Sequence, residues 1–360
     1  MTRSENFTKM KVTMQFDPNK NCPYASGTTA FGDVVLSSRA RLARNLEGFP
    51  FVNSASTGDC EEVEALLSPA CHDGDEVSLE WVDLHTLSDI ERTMCAERHL
   101  ISTNFASAKH PRGVMVGPEL ARSVMINEED HLRIQSIVPG LNLVKAHGDV
   151  KAIDHRMEDL VAYAFDDRLG FLTACPTNVG TGARFSVMMH LPALRITKSF
   201  RQLQNACEGM SIAIRGYHGE GSKTIADLYQ LSNQITLGFN EDDLRKMLEN
   251  EFLPTVIESE REARMTIVQQ FASKLDDRVF RAQGILQTAR LLPLDEAMDC
   301  LGRIRLGVCL ERITDIDINT INQLFIEVQR GHLEWRFGND LTETKLQEFR
   351  ANLVKEKFAS

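Results

Sequence analysis

The sequence predicts a mixed or antiparallel β-sheet flanked by helices, followed by an all-helical domain. Short apolar runs ending in polar or glycine-rich loops fill residues 31–253, and helices alternate irregularly with them. After Gly238 the strand patterns vanish and apolar residues recur at helical spacing. We therefore divide the chain into a loosely ordered lead-in (1–30), a sheet domain (31–253) and a helical domain (254–360).

Composition narrows the class of protein. A 360-residue chain with 42% hydrophobic residues is long and apolar enough for a sizeable core. Its formal net charge of −11 argues against nucleic acid or acidic lipid as the main partner and favours cationic partners. Eight cysteines without a C-x-x-C pair indicate free thiols in a reducing compartment. With no apolar run of membrane-spanning length, we predict a cytoplasmic protein.

The first strand carries two arginines that we expect to act together. Residues 34–45 begin as an apolar strand and become rich in arginine. Because side chains alternate along a strand, Arg39 and Arg41 should point to the same face. The alternative is a solvated basic face. Next along the chain, the spacing predicts a helix over 61–67, a strand over 77–84, a helix over 88–100 and a turn-rich passage over 110–117.

Three consecutive acids follow the next apolar strand, 123–126. Glu128, Glu129 and Asp130 repel one another, so a cation should lie beside them, either a protein arginine or a ligand. The alternative is an exposed acidic turn. Arg133 comes shortly afterwards, a strand resumes over 134–138, and 143–165 has the pattern of a helix that need not be continuous.

The stretch Cys175–Arg184 looks like a loop between two buried strands, since apolar runs lead into it and out of it. Gly180 and Gly182 could turn backbone N–H groups toward an anion, and Arg184 adds a guanidinium beside them. Cys175 stands at its mouth. The alternatives are an ordinary turn between strands and a buried, inert cysteine.

A second glycine-rich loop carries charge. A helix over 198–208 precedes a short strand, 211–214, which delivers Arg215 and then Glu220. A further strand is predicted over 228–237. Asn240 and the acids that follow it make a good helix start. Helices are then predicted over 241–252, 255–273, 276–291, 294–313, 317–330 and 342–358.

Four junctions between strands and loops thus deliver arginines, acids or both. Charged residues at one end of a sheet tend to converge, and several arginines around one cleft could neutralise a nucleotide triphosphate. Mg²⁺ would bind mainly to the phosphates and water. Glu129 and Glu220, if they face each other, could hold a planar guanidinium and accept its proton. A thiolate at Cys175 would add electrostatic support.

At these motifs the sequence resembles the phosphagen (guanidino) kinase family. The resemblance implies an antiparallel sheet of the glutamine-synthetase-like kind and phosphorylation of a guanidino nitrogen that depends on ATP and Mg²⁺. It also implies a role for each matching residue. Arg39, Arg41, Arg133, Arg184 and Arg215 would bind the nucleotide phosphates, Glu129 and Glu220 would hold the guanidinium, Cys175 would be the reactive cysteine, and His99 would pack on the adenine.

The domain order indicates a subgroup. Only about thirty residues precede the first arginine motif, where small-molecule guanidino kinases carry a helical domain. Residues 276–286 and 303–307 instead resemble the C-terminal region of bacterial protein-arginine kinases of the McsB type. That resemblance implies a homodimer acting with an activator protein and the Clp unfoldase–protease machinery, in protein quality control or stress response. The phosphoarginine-reading Arg-Asp pair of that group is absent, although Arg350-Ala351 is retained.

We therefore predict a kinase for arginine side chains in proteins, with basic proteins as substrates. Two alternatives stay open at this point. One is a small-molecule guanidino phosphagen kinase. The other is a non-catalytic adaptor that binds arginine-rich or phosphoarginine proteins, although an adaptor should have lost some of the expected catalytic residues.

Overall fold

The computed structural model describes residues 21–71, 78–117, 119–217 and 225–359. Within them the centre of the fold is an eight-stranded sheet in which every pairing is antiparallel. Its strands are β1 (Val35–Arg44), β2 (Glu80–Asp83), β3 (Gly113–Val116), β4 (Arg122–Ile126), β5 (Leu132–Pro139), β8 (Ala183–His190), β9 (Ile212–Gly216) and β10 (Leu228–Asn233). They lie in the order β2-β3-β4-β5-β1-β8-β10-β9. Two short strands, β6 (Phe165–Asp166) and β7 (Gly170–Phe171), form a separate ladder.

Helices surround this sheet and make up the C-terminal part of the chain. They are α1 (Thr57–Leu67), α2 (Asp89–Glu97), α3 (Thr103–Ser107), α4 (Leu143–Glu158), α5 (Pro192–Ile196), α6 (Phe200–Gly209), α7 (Glu241–Lys246), α8 (Leu253–Gln270), α9 (Ala272–Thr288), α10 (Leu294–Cys309), α11 (Ile318–Glu327), α12 (Arg330–Phe337) and α13 (Glu343–Ala359). The predicted helix start at Asn240 is confirmed, because its side chain accepts the Asp243 N–H at 2.8 Å. The antiparallel sheet with flanking helices and a helical C-terminal region is therefore as predicted.

The two faces of β1 have different environments. Helix α4 packs against β1 and β5, and its His147 ring lies 5.0 Å from the Phe185 ring on the neighbouring strand β8. Phe185 pairs directly with Ala40, so α4 covers the face of β1 that carries the even-numbered residues. Arg39 and Arg41 point to the opposite face. Strand alternation thus separates these two arginines from the buried Arg44.

Two local expectations were wrong. The passage 110–117 contains the buried strand β3, which pairs with β2 and β4. Gly113 looks like a turn residue in the sequence, but here its missing side chain makes room for the Trp81 ring, which a Cβ would approach to 2.2 Å. The apolar run that leads into Cys175, residues 170–174, does not form a buried strand as expected. Only Gly170–Phe171 is extended, in the partly exposed two-stranded ladder with β6.

Buried arginines join the helical part of the chain to the sheet part. Arg305 of α10 donates to the carbonyl oxygens of Gly32 at 2.6 Å and Asp33 at 2.9 Å. Glu97 of α2 accepts the N–H of Gly331 at 2.7 Å, at the start of α12. One hydrophobic core includes residues from both parts. The division near residue 254 stays a prediction. Among the helices of the described residues, none is long and apolar enough to cross a membrane.

Candidate active site

Four arginines lie on the face of the three central strands that is opposite to α4. Arg41 of β1 pairs directly with Arg184 of β8, and residues that pair directly in an antiparallel ladder share a face. Arg133 of β5 pairs with Ala43, two residues beyond Arg41 and therefore on the same face. Arg39 precedes Arg41 by two residues. The register thus brings together four of the five arginines predicted to form the phosphate clamp.

Arg215, the fifth arginine, lies on the same face at the edge of the sheet. It pairs with Gln230 of β10, which in turn pairs with Met188 of β8. Met188 follows Arg184 by four residues, so both point the same way. The five arginines therefore line one continuous surface from β5 to β9.

The central arginines carry more positive charge than their surroundings balance. Burial, and next the charge of Arg133, lower the pKa of Arg39 to about 9. Burial, and next the charge of Arg39, lower the pKa of Arg41 well below its ordinary value. Glu128 is the carboxylate that acts against this effect at both positions. The buried Nε atoms of Arg39 and Arg41 have no hydrogen-bond partner among the described residues. An anion with several oxygens would balance the positive charge and accept hydrogen bonds from these two Nε atoms.

Glu128 is the first of the three consecutive acids, and a protein cation balances it. Its carboxylate forms an ion pair with Arg133 and accepts the Ser102 hydroxyl at 2.7 Å. Burial opposes its charge, but Arg133 and these hydrogen bonds together outweigh burial and lower its pKa. The sequence left open whether a protein arginine or a ligand balances this turn, and for Glu128 it is the protein arginine Arg133. The residue belongs to the framework that holds Arg133 in place.

The other two acids differ from each other. Asp130 is buried and accepts the Asn45 side-chain amide at 2.6 Å and the Ala174 N–H at 2.7 Å. Burial raises the pKa of Asp130 despite these bonds. Glu129 is exposed, and no side chain among the described residues pairs with its carboxylate. The tight turn therefore fixes its two neighbours inward and leaves Glu129 facing solvent, where a ligand can reach it.

Cys175 lies beside this turn. The hydrogen bond from the Ala174 N–H to Asp130 connects the residue before Cys175 to the residue after Glu129. Cys175 is partly exposed, and its Sγ lies 3.0 Å from the Thr177 hydroxyl. The structure thus brings Glu129 and Cys175 into adjacent positions. Glu220, the predicted partner of Glu129, lies outside the described residues.

Gly180 has a different role from the one the sequence suggested. The Gly180 N–H donates to the Phe171 carbonyl at 3.3 Å, so it is not free for an anion. Gly180 and Gly182 have φ angles of 114° and 65°, a region that L side chains rarely adopt. A Cβ at Gly182 would lie 2.5 Å from the Ala43 carbonyl oxygen. Backbone geometry and close packing therefore require these glycines.

His99, predicted to pack on the adenine, lies next to the arginine cluster. Its backbone carbonyl accepts the Gln135 side-chain amide at 2.7 Å, and the Gln135 carbonyl oxygen accepts a hydrogen bond from Arg39. The His99 ring lies 6.3 Å from the Tyr24 ring and 5.5 Å from the Tyr217 ring, measured between centroids. Sequence reasoning missed Gln135 and Tyr217. Strand alternation could have identified Gln135, because it follows Arg133 by two residues.

Two further arginines bind other parts of the protein. Arg350, in the region compared with phosphoarginine readers, is buried and donates to the carbonyl oxygens of Val328 at 2.7 Å and Leu292 at 2.8 Å. It stabilises the packing of α13.

Arg44 is buried on the opposite face of β1 and forms ion pairs with Asp154 at 2.8 Å and Glu241 at 3.2 Å. Among the described residues, no three His, Cys, Asp or Glu side chains form a metal-binding group.

Comparisons with known proteins identify the family of this chain. Residues 62–263, more than half of the chain, match the family model of the ATP:guanido phosphotransferase C-terminal catalytic domain. Residues 272–360 match the protein-arginine kinase McsB C-terminal domain.

Curated relatives extend over most of the chain. A protein-arginine kinase of Halothermothrix orenii is 38% identical over 94% of this chain and 97% of its own length. One of Syntrophomonas wolfei is 39% identical over 92% of this chain and 93% of its own length, and one of Geobacillus stearothermophilus is 40% identical over 90% of each.

Solved structures show the same fold. The substrate-free duplicated taurocyamine kinase from Schistosoma mansoni superposes with a TM-score of 0.57 and 26% identity, over 72% of this chain and 40% of that one. A lombricine kinase superposes with a TM-score of 0.56 and 25% identity, over 68% of this chain and 70% of its own. This chain belongs to the ATP:guanido phosphotransferase family, and it carries that family's catalytic domain together with the McsB C-terminal domain.

Proposed function

We propose that this protein transfers the γ-phosphate of ATP to arginine side chains in proteins. The observation that carries the proposal is the cluster of poorly balanced arginines beside Glu129 and Cys175, both of which a ligand can reach. The protein-arginine kinases that match over 90% or more of this chain support the choice of a protein substrate.

The arginine cluster would bind the triphosphate. Guanidinium groups neutralise phosphate oxygens by paired hydrogen bonds, and the buried Nε atoms of Arg39 and Arg41 supply donors that the protein leaves without partners. The ion pair with Glu128 would hold Arg133 toward the same ligand. His99, between Tyr24 and Tyr217, would face the base. Mg²⁺, bound through the phosphates, would neutralise charge that develops on them.

Glu129 and Cys175 would act on the acceptor. A guanidinium is a poor nucleophile because its lone pairs are delocalised and its proton is held tightly. A carboxylate that binds it edge-on can align one nitrogen with the γ-phosphorus and accept the proton from that nitrogen. The N–P bond forms as the bond between the γ-phosphorus and the bridging oxygen breaks, and ADP leaves. We assign the alignment and proton transfer to Glu129, with Glu220 as its partner and Cys175 as electrostatic support.

The proposal extends to the cellular location and the partners of the protein. We place the protein in the cytoplasm as a homodimer, acting with an activator protein and the Clp unfoldase–protease machinery in protein quality control or stress response. Basic proteins with exposed arginines suit the formal charge of −11 as substrates.

Glu129→Gln tests the assignment of the proton acceptor. Loss of a positioned general base should lower kcat by about 100-fold or more. ATP affinity should change by less than about threefold, because Glu129 lies outside the arginine cluster. Phosphoarginine formation is measured by mass spectrometry, and ATP affinity is measured by calorimetry.

Glu258→Gln, at an exposed position on α8, is the matched control and should behave as the wild type. Unchanged turnover in Glu129→Gln would remove Glu129 from the mechanism. A large loss of ATP affinity in that variant would reassign it to the nucleotide site.

A further inference from the structure

His99, proposed to face the base of the nucleotide, is held in place through its neighbours along the chain. Its φ is 57°, a left-handed conformation that costs free energy in a residue other than glycine and persists where surrounding contacts hold it. The carbonyl of Arg98, the residue before it, accepts the Tyr24 hydroxyl at 2.5 Å. The carbonyl of His99 itself accepts the Gln135 side-chain amide. A change in the position of Arg98 would therefore shift His99.

The side chain of Arg98 is bound by a histidine from the helical C-terminal part of the chain. Arg98 is buried, and its Nε–H donates to Nε2 of His332, on α12, at 3.0 Å. Because guanidinium nitrogens only donate, Nε2 is the acceptor, and the proton of the neutral imidazole is then on Nδ1. Nδ1 donates to the Glu97 carboxylate at 2.6 Å. The ring of His332 thus binds the two residues that lead directly into His99.

Glu97 also fixes the start of α12. Its carboxylate accepts the backbone N–H groups of Gly331 at 2.7 Å and His332 at 3.2 Å. A helix leaves the N–H groups of its first turn without partners inside the helix, so a carboxylate there holds the helix end in one place. The side chains of His332 and Glu97 are only 4% and 10% exposed, so little water competes for these hydrogen bonds.

The two tyrosines beside the His99 ring are bound to the same part of the chain. The Tyr217 hydroxyl forms a hydrogen bond with the side chain of Gln329, the residue before α12. The segment that carries Tyr24 is bound to α11, because the Gln323 side chain accepts a backbone N–H at 3.0 Å two residues before that tyrosine. Contacts from α11 and from the start of α12 therefore reach all three rings of the proposed base site.

We propose that His332 is a positioning residue of the nucleotide site, which acts through Arg98 to set the place of the His99 ring against the adenine. The inference rests on the proposed function, because the assignment of His99 to the base comes from there. The helical C-terminal part would then contribute to ATP binding without touching the nucleotide. This contribution should concern mainly the base, since the arginines that would bind the triphosphate are carried by the strands of the sheet.

Two substitutions of His332 each keep one of its two side-chain hydrogen bonds. In His332→Gln the side-chain carbonyl can take the place of Nε2 and accept from Arg98, whereas in His332→Asn the side-chain amide can take the place of Nδ1 and donate to Glu97. Calorimetry in the presence of Mg²⁺ gives the Kd for ATP and for tripolyphosphate, which has the phosphates without the nucleoside.

His332→Asn should raise the Kd for ATP by about threefold or more, a part of what stacking of a base on a ring contributes, and should change the Kd for tripolyphosphate by less than about twofold. His332→Gln should bind both ligands within about twofold of the wild type, because it keeps the bond to Arg98. Arg98→Met removes the same hydrogen bond from its other end and should show the same selective loss for ATP. Thermal unfolding checks that each variant is folded at the assay temperature.

Two further variants calibrate these measurements. His99→Ala removes the ring itself and should raise the Kd for ATP by about fivefold or more, with little effect on tripolyphosphate. His155→Asn is the matched control, because it replaces an exposed histidine on α4, on the other face of the sheet. It should bind both ligands as the wild type does.

Three results would overturn the inference. The first is an unchanged Kd for ATP in His332→Asn and in Arg98→Met. The second is an equal loss of ATP affinity in His332→Asn and His332→Gln, or an equal loss for ATP and tripolyphosphate, either of which would make His332 a purely structural residue. The third is an unchanged Kd for ATP in His99→Ala, which would separate His99 from the base. If all variants bind as expected but the wild type forms no phosphoarginine, the proposed function fails while the positioning role stands.

Discussion

Replacing Arg41 by methionine should stabilise the nucleotide-free protein and remove its stabilisation by ATP. Arg41 lies among Arg39, Arg133 and Arg184, whose charges lower its pKa in addition to the effect of burial. Methionine keeps an unbranched apolar stem without the charge. Removing the charge of Arg41 removes its repulsion with the neighbouring arginines, so the folded protein should become more stable. The same change removes a group that binds the phosphates, so the affinity for ATP should fall.

The expected gain is a fraction of the cost of holding a guanidinium among like charges, because burial and then the charges of Arg39, Arg133 and Arg184 lower the pKa of Arg41. Arg41 is not fully buried as a residue, so water and salt screen much of the repulsion. We expect the free energy of unfolding of Arg41→Met to rise by about 1 to 2 kcal/mol, and Tm to rise by about 1 to 3 °C.

Thermal unfolding with and without ATP measures both effects. At an ATP concentration of about 100 times Kd, binding should stabilise the wild type by about 2.7 kcal/mol and should leave Arg41→Met nearly unchanged. Arg44→Met is the matched control, three residues along the same strand. Arg44 forms buried ion pairs with Asp154 and Glu241, so its loss should destabilise the protein by about 3 to 5 kcal/mol.

The reasoning fails if Arg41→Met lowers Tm as Arg44→Met does, since Arg41 would then be a structural arginine. It also fails if Arg41→Met keeps the full stabilisation by ATP.

Three further predictions concern the surroundings of this cluster. Cys175→Ala should impair phosphoryl transfer more than ATP binding, whereas Arg184→Ala should impair both; equal effects of the two substitutions on ATP affinity would remove this division. Gly182→Ala should lower the free energy of unfolding by about 1 to 3 kcal/mol, because an alanine there has a left-handed φ and its Cβ clashes with the backbone. Gly284→Ala, in open space on α9, should instead raise the free energy of unfolding by about 0.5 to 1 kcal/mol. Urea unfolding compares the two variants. The pKa of Glu128 is lowered in the folded protein, so its carboxylate stabilises the protein above the ordinary pKa of 4.5, and this stabilisation is lost as the pH falls below that value. Glu128→Gln should therefore weaken the dependence of the free energy of unfolding on pH in the acid range. An unchanged dependence would contradict the ion pair with Arg133.

The fold and the arginine surface could be predicted because they rest on short-range regularities. Alternation along β1 places Arg39 and Arg41 on one face whatever the neighbouring strands are. The side-chain cap at Asn240 and the helical spacing after it depend only on nearby residues. The strand at Gly113–Val116 could not be predicted in this way, because its glycine is explained by a contact with Trp81, more than thirty residues earlier.

The finer division of labour in the site depends on contacts between distant residues. Nothing in the order of Glu128, Glu129 and Asp130 says which acid faces outward. Arg133 and Ser102 decide it for the first, and Asn45 and the Ala174 N–H decide it for the third. The role of Gly180 is likewise set by Phe171 and the segment after β10.

Mass spectrometry of a mixed pool of basic proteins, after incubation with this protein, ATP and Mg²⁺, tests the central claim most directly. The account predicts acid-labile phosphoarginine at defined sites in those proteins, and its loss when Glu129→Gln replaces the wild type. Phosphorylation of free arginine with none in the protein pool would contradict the account.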